Sequence, residues 1–144
     1  KVLICAGYFR VSNAWLQQEL TNGELAELAA HKGFADSISI LSLHGCKKLS
    51  RAAPLGSCAR LRNLDLSWCS RLKDMDGLSA CKQLRSLSLT ECNSIKDVQG
   101  LAGCGELRIL YLNWCERVED ISGLRSCRNL SLLDLTGNAR LWNL

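Results

Sequence analysis

The sequence predicts an α/β solenoid: a stack of short coils that share one open parallel sheet, preceded by a helical segment. Three observations carry this. The chain matches itself at a shift of 23 residues from Ile38 onward; apolar residues recur at fixed places in each copy; and a helix-start signature lies just ahead of the first copy.

The repeats start at Ile38, Leu61, Leu84, Leu107 and Leu130, each 23 residues after the last, and the fifth stops at its fifteenth position. Positions are numbered below from these starts. Positions 1, 4 and 6 are apolar, as in Leu61, Leu64 and Leu66, and alternate about a short strand. Position 12 carries Leu49, Leu72, Ile95, Val118 and Leu141, and positions 15 and 18 supply a further inward pair such as Met75 and Leu78. One coil cannot bury such a set, so each coil depends on its neighbours. The 28 leucines, against two Phe, two Tyr and four Trp, fit many copies of one packing layer.

Residues 1–37 form a separate region by this reading. Leu3, Cys5, Tyr8 and Val11 match positions 4, 6, 9 and 12 and predict a degenerate opening repeat. Thr21 followed by Glu24 has capping-box spacing, Leu25 and Leu28 share a face, and Gly33 is placed to end the helix, which covers the edge of the stack. Residues 38–144 form the repeat region: four complete units and a truncated fifth, whose Leu133, Leu135 and Leu141 require a further neighbour. A chain that opens on Lys1 and has Met75 as its single methionine reads as part of a longer protein.

The spacing resembles the leucine-rich-repeat family, whose strand segment is LxxLxLxxN or LxxLxLxxC, over Ile38 to Leu144. Cysteine at positions 9 and 21 and Asp at position 14 are similar to the cysteine-containing subclass known from substrate receptors of ubiquitin ligases. The unit is shorter than that subclass's usual repeat and resembles the short cysteine-bearing repeats of kinetoplastid proteins. The resemblance implies a right-handed solenoid with a concave parallel sheet and short turns or 3₁₀ segments on the convex side. It also implies binding of another protein, as a scaffold, an adaptor or a ligase's substrate receptor; no F-box-like segment is visible in the chain.

Eight of the nine cysteines fall into two columns: Cys46, Cys69, Cys92 and Cys115 at position 9, where the fifth copy has Asn138, and Cys58, Cys81, Cys104 and Cys127 at position 21. Position 9 needs a small buried group that tolerates backbone polar atoms, which suits Cys and Asn alike. Alternating spacings of 12 and 11 spread the sulfurs along two lines, unlike the converging ligands of a zinc site. An unbroken thiol ladder points to reduced structural cysteines and a cytoplasmic location. Asp74, Asp97 and Asp120 at position 14, ahead of Gly77, Gly100 and Gly123, are expected to cap turns; Pro54, at that glycine's place in the first copy, predicts a different turn there.

The outward positions vary on this fixed frame, and specificity lies there. Trp68 and Trp114 at position 8, with Glu91 between them and Asp65 and Tyr111 on the sheet face, are candidate partner contacts. Arg62, Arg85 and Arg108 stack at position 2, where solvent, Glu106 or an acidic partner must offset their repulsion. A net charge of +4 is mild, so contact with nucleic acid through an arginine and aromatic edge is the secondary reading. His31 and His44 lie in no nucleophile or metal motif, so no catalytic residue, metal or cofactor is expected, and no stretch is long enough to span a bilayer.

Overall fold

The computed structural model describes residues 8–10 and 19–141. Among the described residues six three-residue strands form one parallel sheet in chain order: β1 (Tyr8–Arg10), β2 (Ile40–Ser42), β3 (Asn63–Asp65), β4 (Ser86–Ser88), β5 (Ile109–Tyr111) and β6 (Leu132–Asp134). Each strand of the repeat occupies positions 3–5 and pairs with the same positions of the next coil, as in Leu64 with Leu87 and Leu87 with Leu110. The ladder runs on past the strands. The position-6 N–H donates to the position-5 carbonyl of the next coil, as from Leu66 to Ser88 at 2.9 Å and from Leu89 to Tyr111 at 2.8 Å.

The returning segments are short 3₁₀ helices at Ala53–Ser57, Asp76–Ala80, Gln99–Leu101 and Ser122–Ser126, as the short repeat demands. Asp74, Asp97 and Asp120 each accept the backbone N–H two residues on, at 3.0, 3.1 and 2.7 Å. Glycine at position 17 reflects close packing between coils. A Cβ on Gly77 would lie 2.2 Å from the Ala53 carbonyl oxygen, and one on Gly100 would lie 2.4 Å from that of Met75.

Pro54 makes no different turn: Ala53–Ser57 is a 3₁₀ helix like the others. The fixed φ of proline fits 3₁₀ geometry. Among the described residues no 3₁₀ segment precedes this coil; helix α1 (Asn22–Ala30) packs there instead.

The core is a single cluster in which inward leucines at positions 1, 4, 6, 12 and 18 of the first three coils are 0–3% exposed. Each such burial stabilises by about 1.5–3 kcal/mol. The N-terminal edge is covered. Thr21 closes α1 with a full capping box, Leu25 and Ala29 are buried, and Asn22 accepts the N–H groups of Ser50 and Arg51 at 3.0 and 3.2 Å.

Two expectations change here. The helix ends at Ala30, and Gly33 lies inside a second short helix, α2 (Lys32–Ala35), which turns to bury Phe34. Phe9, not Leu3, sits at the strand centre opposite Leu41, so the opening strand enters six residues later than Leu3 implied, and Tyr8 takes position 3 instead of 9. Leu3, Cys5 and Val11 lie outside the described residues.

Candidate partner-binding face

Each strand is followed by a tight turn from position 6 to position 9, closed by bonds such as that from the Cys69 N–H to the Leu66 carbonyl at 3.2 Å. The third residue of the turn, position 8, has positive φ in every coil: Gly45 at 73°, Trp68 at 64°, Glu91 at 62°, Trp114 at 60° and Gly137 at 80°. A type II turn requires this and favours glycine there. Three successive coils instead carry large side chains, each at a cost of roughly 1–2 kcal/mol.

Trp68 and Trp114 are 50% and 49% exposed, so about half of each residue's surface faces solvent. Trp114 leans onto the next coil. A Cβ on Gly137 would meet its ring at 2.5 Å, so Gly137 provides both the positive φ and the space. Beneath it lies a shallow depression of about 660 Å³, lined by Glu116, Leu135, Asn138 and Arg140 among others.

The sheet face is knitted by hydroxyls. Asp65 accepts the Ser67 N–H at 2.9 Å and the Ser42 hydroxyl at 3.3 Å, and His44 Nδ1 lies 3.7 Å from it. Ser67 and Ser88 share a hydrogen bond of 2.6 Å, Ser88 and Thr90 one of 3.3 Å, and Thr90 donates to Asn113 at 2.8 Å. This chain was not legible in the sequence, because it joins positions 5 and 7 of different coils. Asp65 therefore orders the face as well as lining it. Glu91 is half-buried and accepts from Asn93 at 3.5 Å. Tyr111 is 38% exposed.

Arg62, Arg85 and Arg108 are exposed, and none takes part in an ion pair among the described residues. They stand at the N-terminal ends of the strands, whereas the tryptophans stand past the C-terminal ends. At about 3.3 Å per strand residue the six steps between them span up to about 20 Å. That is some two Debye lengths at physiological salt, so the arginines and the indoles do not form one edge.

The position-9 residues face inward. The Cys69, Cys92 and Cys115 thiols donate to the carbonyls of Leu43, Leu66 and Leu89 at 3.3, 3.1 and 2.9 Å. Asn138 repeats the bond to Leu112 at 2.9 Å, and its side-chain oxygen accepts the Cys115 N–H at 2.8 Å. In the second column Cys81, Cys104 and Cys127 bond the carbonyls of Leu55, Leu78 and Leu101 at 3.3, 3.1 and 3.6 Å. Burial pushes the Cys69 and Cys104 thiols up to about 12 and Cys81 and Cys115 to about 11, so all are neutral donors. All eight thiols in the two columns are free. Cys46 is fully buried while the His44 side chain is 47% exposed, so the two do not form a nucleophile and base. Among the described residues no group of His, Cys, Asp and Glu converges on a metal site, and no helix is long and apolar enough to cross a membrane.

A family model described as Leucine Rich repeats (2 copies) matches residues 59–103. No curated protein matches the chain. Among solved structures, an internalin (inlF) from Listeria monocytogenes is similar with a TM-score of 0.65 and 29% identity, over 74% of this chain and 30% of that one. An internalin C2 (inlC2) from the same organism aligns over 76% of this chain and 56% of its own, at 21% identity and a TM-score of 0.46. The chain thus spans under a third of the first internalin's length and just over half of the second's.

Proposed function

Taking as premise that the chain is a leucine-rich-repeat protein, we propose that it binds another protein across its sheet face and the position-8 ledge, as a scaffold or adaptor within a larger assembly. One observation carries this. Among the described residues the exposed large hydrophobics are Ile40, Trp68, Tyr111, Trp114, Leu132 and Leu133. Five of the six occupy outward positions 3, 5 and 8; Leu133 is an inward residue of the last described strand. Large apolar side chains gathered on one face mark an interaction surface. The eight free thiols support a reducing, cytoplasmic setting for this role.

The experiment is affinity capture with cross-linking, comparing the native chain, a Trp68→Gly, Tyr111→Ala, Trp114→Gly variant and a control altered at exposed Arg125. Loss of partners from the triple variant alone is expected. Equal capture by all three would sink this face as the site.

Nucleic acid is the weaker reading, since the arginine column and the aromatics stand at opposite ends of the strands; unchanged polynucleotide binding in low salt after Arg85→Ala would remove it. Substrate recognition for a ubiquitin ligase rests on the likeness of the cysteine-bearing repeats alone.

A further inference from the structure

Trp68 and Trp114 occupy the same place in coils two and four, past the C-terminal ends of β3 and β5, with Glu91 in the coil between. Parallel strands lie about 4.8 Å apart, so equivalent atoms of the two indoles repeat at roughly 9.6 Å along the stack. That number selects among backbone conformations. A polyproline II helix rises about 3.1 Å per residue with three residues per turn, so every third side chain faces the same way at about 9.3 Å. A β-strand returns to the same face every second residue, at about 6.7 Å. In an α-helix the nearest match, seven residues on, falls at about 10.5 Å. The ledge therefore fits a polyproline II segment that runs along the solenoid axis, with an apolar residue on each indole.

Charge narrows the segment further. At positions 3, 5, 7 and 8 the five repeats carry no Lys or Arg, while they carry Asp65, Glu91 and Asp134, in a chain of net charge +4. β1 places Arg10 in register with Ser42 at the far edge of the sheet. Glu91, between the two tryptophans, has no cationic partner among the described residues. Arg71 and Arg117 follow the tryptophans by three residues, beyond buried position 9, so spacing is the primary argument and charge the secondary one. Proline rings stack well on exposed aromatics, and the polyproline II form is already extended before it binds, which lowers the ordering cost.

We propose that the Trp68–Glu91–Trp114 ledge docks a proline-rich, basic segment of a partner protein, with prolines three residues apart on the two indoles and an intervening arginine or lysine on Glu91. This deepens, and rests on, the reading of the sheet side as a protein-binding face. It also accounts for two indoles and a carboxylate at positive φ, where Gly45 and Gly137 show that glycine serves the fold.

Isothermal titration calorimetry tests it with three nine-residue peptides, acetylated and amidated. The first has proline at every third position, with arginine and alanine between. The second has the same composition with no two prolines three or six residues apart, and the third is the first with citrulline for arginine. The first should bind at least tenfold tighter than the second. Trp68→Gly and Trp114→Gly, which install the residue the turn prefers, should each cost tenfold or more. Glu91→Gln should weaken the arginine peptide and leave the citrulline peptide unchanged.

Equal affinity for the spaced and rearranged peptides, no detectable binding of the spaced one, or indifference to Trp68→Gly overturns the inference. If spaced and rearranged peptides bind equally and the ledge variants abolish both, the sheet-side reading survives and the spacing argument falls. If the ledge and Tyr111 variants change nothing, both fall.

Discussion

Positions 8 and 9 of the repeat are adjacent in sequence and opposite in character. Position 9 is fully buried where it carries Cys46, Cys69, Cys92 and Cys115 and nearly so at Asn138, and from the second coil onward its side chain reaches back to a carbonyl of the preceding coil. Position 8 carries Gly, Trp, Glu, Trp and Gly, half-buried or exposed, at a φ that glycine would adopt most cheaply. The first position serves cohesion between coils and admits only small donors. The second works against the local backbone in three coils of five, and strain of this kind gathers where a surface is used.

Raising the pH should break that contrast most severely, because it deprotonates the buried thiols that join the coils. Burial raises the thiol values in the fold, to about 11–12 where Cys81, Cys104 and Cys115 are concerned, against about 8.5 for a free thiol. The unfolded chain therefore loses these protons first. The thiols' contribution is complete below about pH 8.5 and is lost as pH rises toward the folded values. Cys46, Cys69 and Cys92 are raised strongly as well, and with six such groups, each losing about 1.4 kcal/mol per pH unit in that window, the total by pH 10 is on the order of 10 kcal/mol. Circular dichroism should show cooperative unfolding between about pH 9 and 10.5, and a thiol reagent should find all eight column cysteines unreactive at pH 7. Retention of the fold at pH 11 would contradict the neutral-donor role.

Whether burial belongs to the position or to the neighbouring coil is decided at position 4. Leu110 is 0% exposed between two coils, whereas its equivalent Leu133 is 37% exposed. Leu110→Ala should cost about 2–5 kcal/mol, and Leu133→Ala about 1 kcal/mol or less, by urea denaturation. Equal costs would mean that the repeat position itself, and not the next coil, sets the burial.

At position 9 the chemistry can be separated from the volume. Cys92→Ala removes one of the two donors to the Leu66 carbonyl, leaving the Cys69 N–H, and should cost about 1 kcal/mol. Cys92→Asn, which copies Asn138, should cost clearly less, because the amide donates to that carbonyl and accepts the Cys69 N–H. The reverse order in melting temperature would refute the donor account.

The smallest effect lies on the ledge. Glu91→Gly should stabilise the fold by about 1 kcal/mol, since glycine occupies positive φ without a Cβ clash. Destabilisation on the same scale would show that the Glu91 side chain has a structural role there.

Much of this was legible because a repeat states each requirement several times. Four cysteines in one column and an asparagine in the fifth copy identify a small polar-tolerant buried site. Three Asp ahead of three Gly identify a capped turn, and Thr21 with Glu24 identifies a helix start. Less was legible where the pattern occurs once. Gly33 read as a helix end because glycine often serves there, yet burial of Phe34 carries the chain through it. Tyr8 was misassigned by three coincident apolar matches. Trp68, Glu91, Tyr111 and Trp114 stood out in the sequence as outward-facing, but the sequence did not show the cost at which three of them are held.

By itself, then, the sequence determined the coil length, the inward residues, the parallel stacking and the two thiol ladders. Each follows from periodicity and side-chain size, which act locally and recur every 23 residues. The tertiary structure alone decided the positive φ at position 8, the seat of Trp114 on Gly137, the hydroxyl chain from Ser42 to Asn113 and the separation of the arginine column from the tryptophans. Those depend on what the adjacent coil presents at contact distance, and no single repeat contains its neighbour.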